Sequence, residues 1–555
     1  MDISFALKKH LYKALSSVKQ EYLKKSYKID FVVEKPQIKE HGDYSSNIAL
    51  QVSRGLNKNP EEIAKIIIKN LELPDFIKNV SFKKPGFINF FLSDQWLQEN
   101  LKSILNKENN YSKKENFNKK IQVEFVSVNP TGNLHIGHAR GAVIGSTLSN
   151  LLETQGFQVN REYYINDAGN QIDLFTESLY VRYMNLFNNN LPIPENGYEG
   201  KELEEIAEQI KSENYEKFTK ISKKEALIHL KKIGIKQILN NIKNDLIELG
   251  VEYNSWFSEK SLIKSGEFKE TINILKKKNL VFEKDGATWL DSKKLGDDKN
   301  NVLIKSDGGA PTYFATDIAY HKNKFLTRNF DTVIDIWGAD HHGHIKRLSD
   351  ALKALGIEKN RFVVILNQIV SLKTKSSMTK FSKRKGTSIP LKELIEEVGK
   401  DACRYNFLSK SPESQIEFDL DISKKKSNEN PVFYVQYAHA RMNSIIEKSK
   451  NFNFSKSTSN LKLLTHDSEI EIMKKLSEFP EILRFSSEKL EVHRLPQYTL
   501  ELSQLLQKFY EECRVLPEKQ EDYETSKSRL DLIKASKLIL SETLSIMGME
   551  SPNKM

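Results

Sequence analysis

Apolar residues alternate with polar ones at Ile121, Val123 and Phe125, a period of two that predicts a strand. Beyond the turn Asn129-Pro130-Thr131-Gly132-Asn133 the period changes. Small and apolar residues recur at helical spacing, as Ala142, Val143, Gly145, Leu148 and Leu152, and Gly156 closes the run. A second strand is predicted at Arg161–Ile165, ended by the polar turn Asn166-Asp167-Ala168-Gly169. Thr332–Trp337 and Phe362–Leu366 read as further parallel-type strands, with a helix between Leu348 and Leu355. Strands alternating with helices predict a doubly wound α/β domain over about 120–370. The stretch from about 175 to 300 is mostly charged and helical, with Pro192, Pro194 and Gly197 at a loop, and reads as an insertion between two halves.

The flanks have different patterns. Residues 1–110 predict an α+β module: a helix over 3–25, a strand at Phe31–Val33, a turn over Gly42–Asn47 opening the next helix, and a hairpin-like pair at Val80–Phe82 and Phe87–Leu92. Residues 107–120 are rich in Lys and Asn without periodicity and read as a linker. Residues 371–425 carry a basic loop and a connecting region. From about 426 to 555 the pattern is helical throughout, punctuated by Pro480, Pro496 and Pro517, and predicts an all-α bundle.

The chain has 555 residues, enough for three or four domains. Its 85 basic residues exceed its 74 acidic ones, and the net charge of +11 mildly favours a polyanionic partner. About six of the excess charges fall in the first 118 residues, while the last stretch is balanced. Cys403 and Cys513 lie far apart, which excludes a disulfide framework and a Cys-rich zinc site and suits a reducing cytosol. The N-terminal segment lacks the apolar core of a signal peptide, and no apolar run reaches ~18 residues, so no membrane span is expected.

Three motifs bear chemistry. His135-Ile136-Gly137-His138 places two imidazoles and free backbone N–H groups at a helix N-terminus, where an anionic phosphate binds well. Met378-Thr379-Lys380-Phe381-Ser382-Lys383-Arg384-Lys385-Gly386 is a basic loop past the last sheet strand. A mobile ammonium there can meet the charge of a departing pyrophosphate; otherwise the loop is a solvated lysine-rich surface. At the end of another strand, Gly338 lets a nucleotide approach the backbone and Asp340 can accept from a ribose hydroxyl. Asp340, His341, His342 and His344 also suggest a metal site, but adjacent histidines point apart, and no protein-bound metal is expected. Glu124 on the first strand, with Tyr313 and Asp317 spaced i, i+4 on a helix, suits a planar cation such as a guanidinium. A lysine ammonium stays open.

The His-x-Gly-His stretch resembles the nucleotide-binding HIGH motif of class I aminoacyl-tRNA synthetases and related nucleotidylyl transferases. The basic loop resembles their KMSKS loop, with Phe381 and Arg384 departing from it, and Gly338–His344 resembles their Gly-x-Asp-x-x-x-His signature. Nearly end to end, through Val123–Ser127, Arg161–Gln171, Tyr313–Tyr320, Asp401–Tyr405 and Asn430–Arg441, the chain resembles the bacterial-type arginyl-tRNA synthetases. A Rossmann-type catalytic domain with a helical insertion follows from the resemblance. It implies ATP at His135, Gly137, His138, Gly338, Asp340, His344 and Ser382, with Lys380 and Lys383 on its phosphates. It implies arginine at Glu124, Asn129, His135, Tyr313 and Asp317, with His341 a weaker member. Ser127, Asn166, Asp167 and Gln171 would wall the site. Phe433, Tyr434, Tyr437 and Arg441 would lie in an anticodon-binding module, stacking on RNA bases or filling its core. The partners implied are tRNA(Arg), L-arginine and ATP with Mg2+, in a cytoplasmic monomer whose first domain meets the tRNA elbow. A nucleotidylyl transferase without tRNA and a catalytically inert RNA-binding relative are the alternatives.

Overall fold

The computed structural model describes residues 2–22, 29–107, 111–306, 309–373, 389–454 and 458–555. The chain forms two compact units. The first joins Met1–Lys113 to Phe433–Ser545 and Glu550–Met555. Its opening helix, Ile3–Tyr22, buries Ile3, Leu7, Leu11 and Ala14, a spacing that keeps one face inward. Strands β1 (Val33–Glu34), β2 (Tyr44–Ser46), β3 (Ile77–Lys83) and β4 (Phe87–Leu92) form an antiparallel sheet in the order β1-β2-β4-β3. The turn expected over Gly42–Asn47 is largely strand. Tyr44, Ser45 and Ser46 pair with Phe90, Asn89 and Ile88, and Ser45 Oγ donates to Asn89 Oδ1 at 2.7 Å, which satisfies both buried groups. The C-terminal part of this unit is helical, with Asp467–Ser477, Phe479–Lys489, Arg494–Glu512 and most of Tyr523–Ile546. Tyr44 donates to Glu481 at 2.9 Å and Lys474 pairs with Asp43 at 2.8 Å, fastening sheet to helices.

The second unit holds Lys114–Val432 and Ile546–Met549. Its strands are β5 (Lys120–Glu124), β6 (Gln158–Ile165), β7 (Ser255–Ser258), β8 (Val281–Lys284), β9 (Ala287–Leu290), β10 (Asn301–Ile304), β11 (Thr332–Gly338) and β12 (Phe362–Asn367), then the parallel pair β13 (Val370–Lys373) and β14 (Ile416–Asp419). Five of them make one parallel sheet, ordered β12-β11-β5-β6-β7. The chain leaves β5 toward β6 and β7, then crosses to the other side for β11 and β12. The crevice beyond the carboxyl ends of β5 and β11 is therefore the switch point where such sheets bind ligands. Glu124 ends β5 beside Asp335 of β11.

The insertion differs from its expected helical character. β7 lies inside it, where Trp256 and Phe257 pair with Tyr163 and Tyr164, and β8–β10 form a separate antiparallel sheet. The helix Ile136–Thr154 packs so close to the sheet that a Cβ on Gly145 would lie 2.2 Å from the Phe125 ring. Among the described residues no helix is long and apolar enough to cross a membrane.

Candidate active site

β5 ends abruptly because Val126 and Ser127 take φ of 70° and 42°, a left-handed pair in which a β-branched residue is strained. Tyrosine hydroxyls hold the distortion. Tyr253 donates to the Phe125 carbonyl at 3.1 Å and Tyr163 to that of Val128 at 3.0 Å, while Ser127 Oγ accepts from Tyr164 N. The chain is thereby turned toward His135, which caps the helix Ile136–Thr154.

The two histidines of this turn share one arrangement. His135 Nδ1 accepts from Gly137 N at 3.1 Å, and His138 Nδ1 accepts from His135 N at 3.3 Å, with the rings stacked 3.6 Å apart. A neutral imidazole has one acceptor and one donor nitrogen, so both protons sit on Nε2. Burial lowers the pKa of His135; burial and the neighbouring imidazole bring that of His138 down to about 3. Near neutral pH the pair is therefore two uncharged N–H donors at a helix N-terminus, able to bind phosphate oxygens.

The same turn is tied to the segment immediately after the basic loop. Ile136 N donates to Ile389 O at 3.0 Å and Leu391 N to Leu134 O at 2.9 Å. Lys380, Ser382 and Lys383 lie outside the described residues. Arg140, fully buried, reaches from the helix to the carbonyls of Gln368, Ser411 and Ser414.

Neither expected carboxylate is bare. Glu124 is buried, and its Oε2 accepts from Lys324 at 2.5 Å. Asp317 Oδ2 is 2.8 Å from His344 Nε2. Each keeps one oxygen outside these contacts, Oε1 and Oδ1. Tyr313 stands exposed in the first turn of the same helix, Tyr313–Lys322. Asn129 donates to Gln171, so these two expected residues meet. Asp167 accepts from Ser258 Oγ and Lys260 N and acts as a brace between the ends of β6 and β7. At the end of β11, Asp340 and His341 are exposed, and a Cβ on Gly338 would come within 2.5 Å of Asp340 Oδ1.

One acidic residue escapes sequence reasoning. Glu259, just after β7, is buried and its Oε2 has no partner among the described residues. Burial, together with repulsion from Asp317 and Asp167, raises its pKa to about 7 against hydrogen bonds from Thr316 and Tyr164. Asn166 Oδ1 is likewise buried without a partner. An unmet carboxylate oxygen near Asp317 suits a donor-rich cation. Glu259 sits in a charged stretch, and no local pattern marks it; only its neighbours in space do.

On the helix Pro431–Ser449, Val435 and Ala438 face the core, while Phe433 and Tyr437 stack at 6.0 Å, with Tyr437 exposed. Arg441 lies over the Tyr510 ring and donates to Gln507. Among the described residues no group of three or more His, Cys, Asp or Glu is placed to hold a metal ion.

The chain is similar to known proteins along nearly its whole length. Residues 100–454 match the family "tRNA synthetases class I (R), catalytic domain", which places the parallel sheet and its histidine turn in the class I aminoacyl-tRNA synthetases. Residues 6–92 match the arginyl tRNA synthetase N-terminal domain and 435–555 the DALR anticodon binding domain. An arginine–tRNA ligase from Dehalococcoides mccartyi is 43% identical over 98% of both chains, and one from Carboxydothermus hydrogenoformans is 42% identical over 97% of both. The chain belongs to the arginyl-tRNA synthetase family. The fold is that of the arginyl-tRNA synthetase from Thermus thermophilus, at TM-score 0.79 and 20% identity over the whole of both chains.

Proposed function

We infer that this chain is an arginine–tRNA ligase, which activates L-arginine with ATP and transfers it to the 3′ end of tRNA(Arg). The observation that carries the reading is the pairing, in a chain of this family, of two neutral imidazole donors with half-engaged carboxylates around one sheet's switch point.

In the first step an oxygen of the arginine carboxylate forms a bond to the ATP α-phosphorus. The bond to the β-phosphate bridge breaks, and pyrophosphate leaves with the electron pair. In the second step a terminal ribose hydroxyl of the tRNA attacks the acyl carbon, and AMP leaves. No covalent enzyme intermediate is needed, so catalysis is positioning plus charge stabilisation. The Nε2–H groups of His135 and His138 would donate to the phosphates, while Gly137, whose N–H is held by His135 Nδ1, would let the nucleotide come close to the backbone. Gly338, Asp340 and His344 would hold the nucleoside end, and Lys380, Ser382 and Lys383 the departing pyrophosphate. Glu124, Asp317 and Glu259 would take the guanidinium, with Tyr313 against its plane, and Asn129 and His135 the α-amino and carboxylate groups. His341 is the remaining candidate of the arginine site, with Ser127, Asn166, Asp167 and Gln171 around it. Phe433, Tyr434, Tyr437 and Arg441 are proposed to meet tRNA bases, since Tyr437 is exposed rather than core. Magnesium would arrive on the triphosphate, which suits an ion that keeps its waters and needs no protein cage. The reading includes a cytoplasmic monomer; both cysteines are free and buried.

Charging of total tRNA with each radiolabelled amino acid, ATP and magnesium tests the function. Arginine alone should be attached. Attachment of lysine would overturn the pocket assignment, and no attachment by folded, ATP-binding protein would overturn the ligase reading. Within the pocket, Glu259→Gln is expected to raise KM for arginine by roughly 10–10² with kcat little changed, as a ground-state cation contact is lost. In the parent, KM should fall as pH rises through about 7, because Glu259 must ionise to meet the guanidinium. A flat profile for the parent would remove Glu259 from the pocket.

A further inference from the structure

The helix carrying Asp317 does not end as an ordinary helix. Asn323–Thr327 is a π-helical turn appended to Tyr313–Lys322, and Ile318 to Phe325 are buried without a break, where a surface helix would alternate. The wider turn brings Lys324 inward. Its ammonium is fully buried, 2.5 Å from Glu124 Oε2 and 2.9 Å from Asp335 Oδ1, and 4.2 Å from the centre of the Tyr320 ring. Asp335 Oδ2 in turn lies 2.8 Å from His321 Nε2, and His321 Nδ1 lies 2.8 Å from the Asp317 carbonyl oxygen. An unbroken chain of contacts thus joins Glu124 to the backbone of Asp317. A second pair, Glu162 with Arg328, lies next to it and takes the Tyr320 hydroxyl.

We propose that Lys324 is a positioning residue for the substrate cation: it clamps one oxygen of Glu124, offsets the burial that disfavours that carboxylate's charge, and leaves the other oxygen for arginine. The proposal rests on the reading that Glu124 lines the arginine site. With Lys324 on Glu124 Oε2 and His344 on Asp317 Oδ2, each carboxylate offers a single oxygen. Two such oxygens fixed on different elements suit the forked donors of a guanidinium better than a point ammonium. Among the described residues, Lys324 alone is hydrogen-bonded to the Glu124 carboxylate. Asp335 repels it, and His321 is committed to Asp335 and a carbonyl. Tyr164, Tyr253 and Tyr320 have pKa values raised by burial and stay neutral, and Arg328 is held by Glu162. Burial raises the Glu124 pKa, and Lys324 is the main influence opposing it.

The test is KM for arginine against pH from 6 to 9, in the full chain with tRNA and ATP saturating, for the parent, Lys324→Met, Glu124→Gln and the double variant. An unpaired buried carboxyl titrates near or above neutrality, so Lys324→Met should raise KM about tenfold at pH 7, and the excess should close toward pH 9. The double variant should match Glu124→Gln and lose that pH dependence. An excess in Lys324→Met that is constant with pH, or no excess, overturns the proposal. An unchanged KM in Glu124→Gln instead sinks the underlying placement of Glu124. If Lys324→Met fails to fold, Lys324→Arg carries the same test: it should keep the parent's pH profile, and a displaced profile overturns the clamp.

Discussion

A His138→Ala enzyme is expected to form arginyl-adenylate about 10²-fold more slowly than the parent, measured as pyrophosphate exchange with tRNA present. The size reflects the ring's two bonds. Its Nδ1 is spent on the His135 backbone N–H, so the ring cannot rotate freely, and its Nε2–H is held ready as a neutral donor. Burial and the stacked neighbour keep it uncharged near neutral pH, with a pKa of about 3. His138→Gln carries an amide donor out to the ring's Nε2 position and should recover roughly tenfold of the loss, whereas His138→Asn replaces only the Nδ1 acceptor. Recovery by Asn but not by Gln would assign the ring a capping role only.

Arg404→Met is expected to lower the unfolding free energy of the catalytic unit by about 3–5 kcal/mol, read from the shift in urea midpoint. Arg404 is fully buried, and its guanidinium is the hub of a cluster of neutral acceptors. It donates to the carbonyls of Met547, Leu249 and Gly250 and to the hydroxyls of Ser146 and Thr147. Burial lowers its pKa to about 10, so it stays protonated at neutral pH. Removing it strands several acceptors in a dry interior, which costs more than losing one surface pair. A midpoint shift worth less than about 1 kcal/mol would mean that water enters and satisfies them.

The parts of this architecture that announce themselves locally were legible in the sequence. β5, its turn and the helix after it show because the hydrophobic period switches from two to 3.6 within a few residues. The histidine turn shows because Gly and Pro mark the break. β7 escapes because Ser255–Ser258 is only four residues long amid charged helix, and it becomes a strand by pairing with Tyr163 and Tyr164. Ser45 and Ser46 read as turn residues, and cross-strand partners override that preference. In the site, Glu124 and Asp317 could be picked out as acidic residues on suitable elements. That each already has a partner could not, since Lys324 reaches Glu124 only through a π turn that shifts the helical phase. Glu259 was invisible for the related reason that its unmet oxygen is a property of packing, not of spacing.

The Arg404 cluster also constrains the order in which the molecule can be made. Ser146 and Thr147 belong to the helix that begins at His135, whereas Met547 lies far downstream, and Asn150 of that helix donates to Ile546 across 396 residues of sequence. During synthesis the helix that begins at His135 emerges early and waits, with its inner face incompletely packed, until residues 546–549 have left the ribosome. A nascent chain halted before them should be more open to protease along Ile136–Thr154 than one halted just after. Completion of the catalytic unit is thereby delayed until the C-terminal helices have been translated, so partial products of translation lack a fully packed histidine turn and helix.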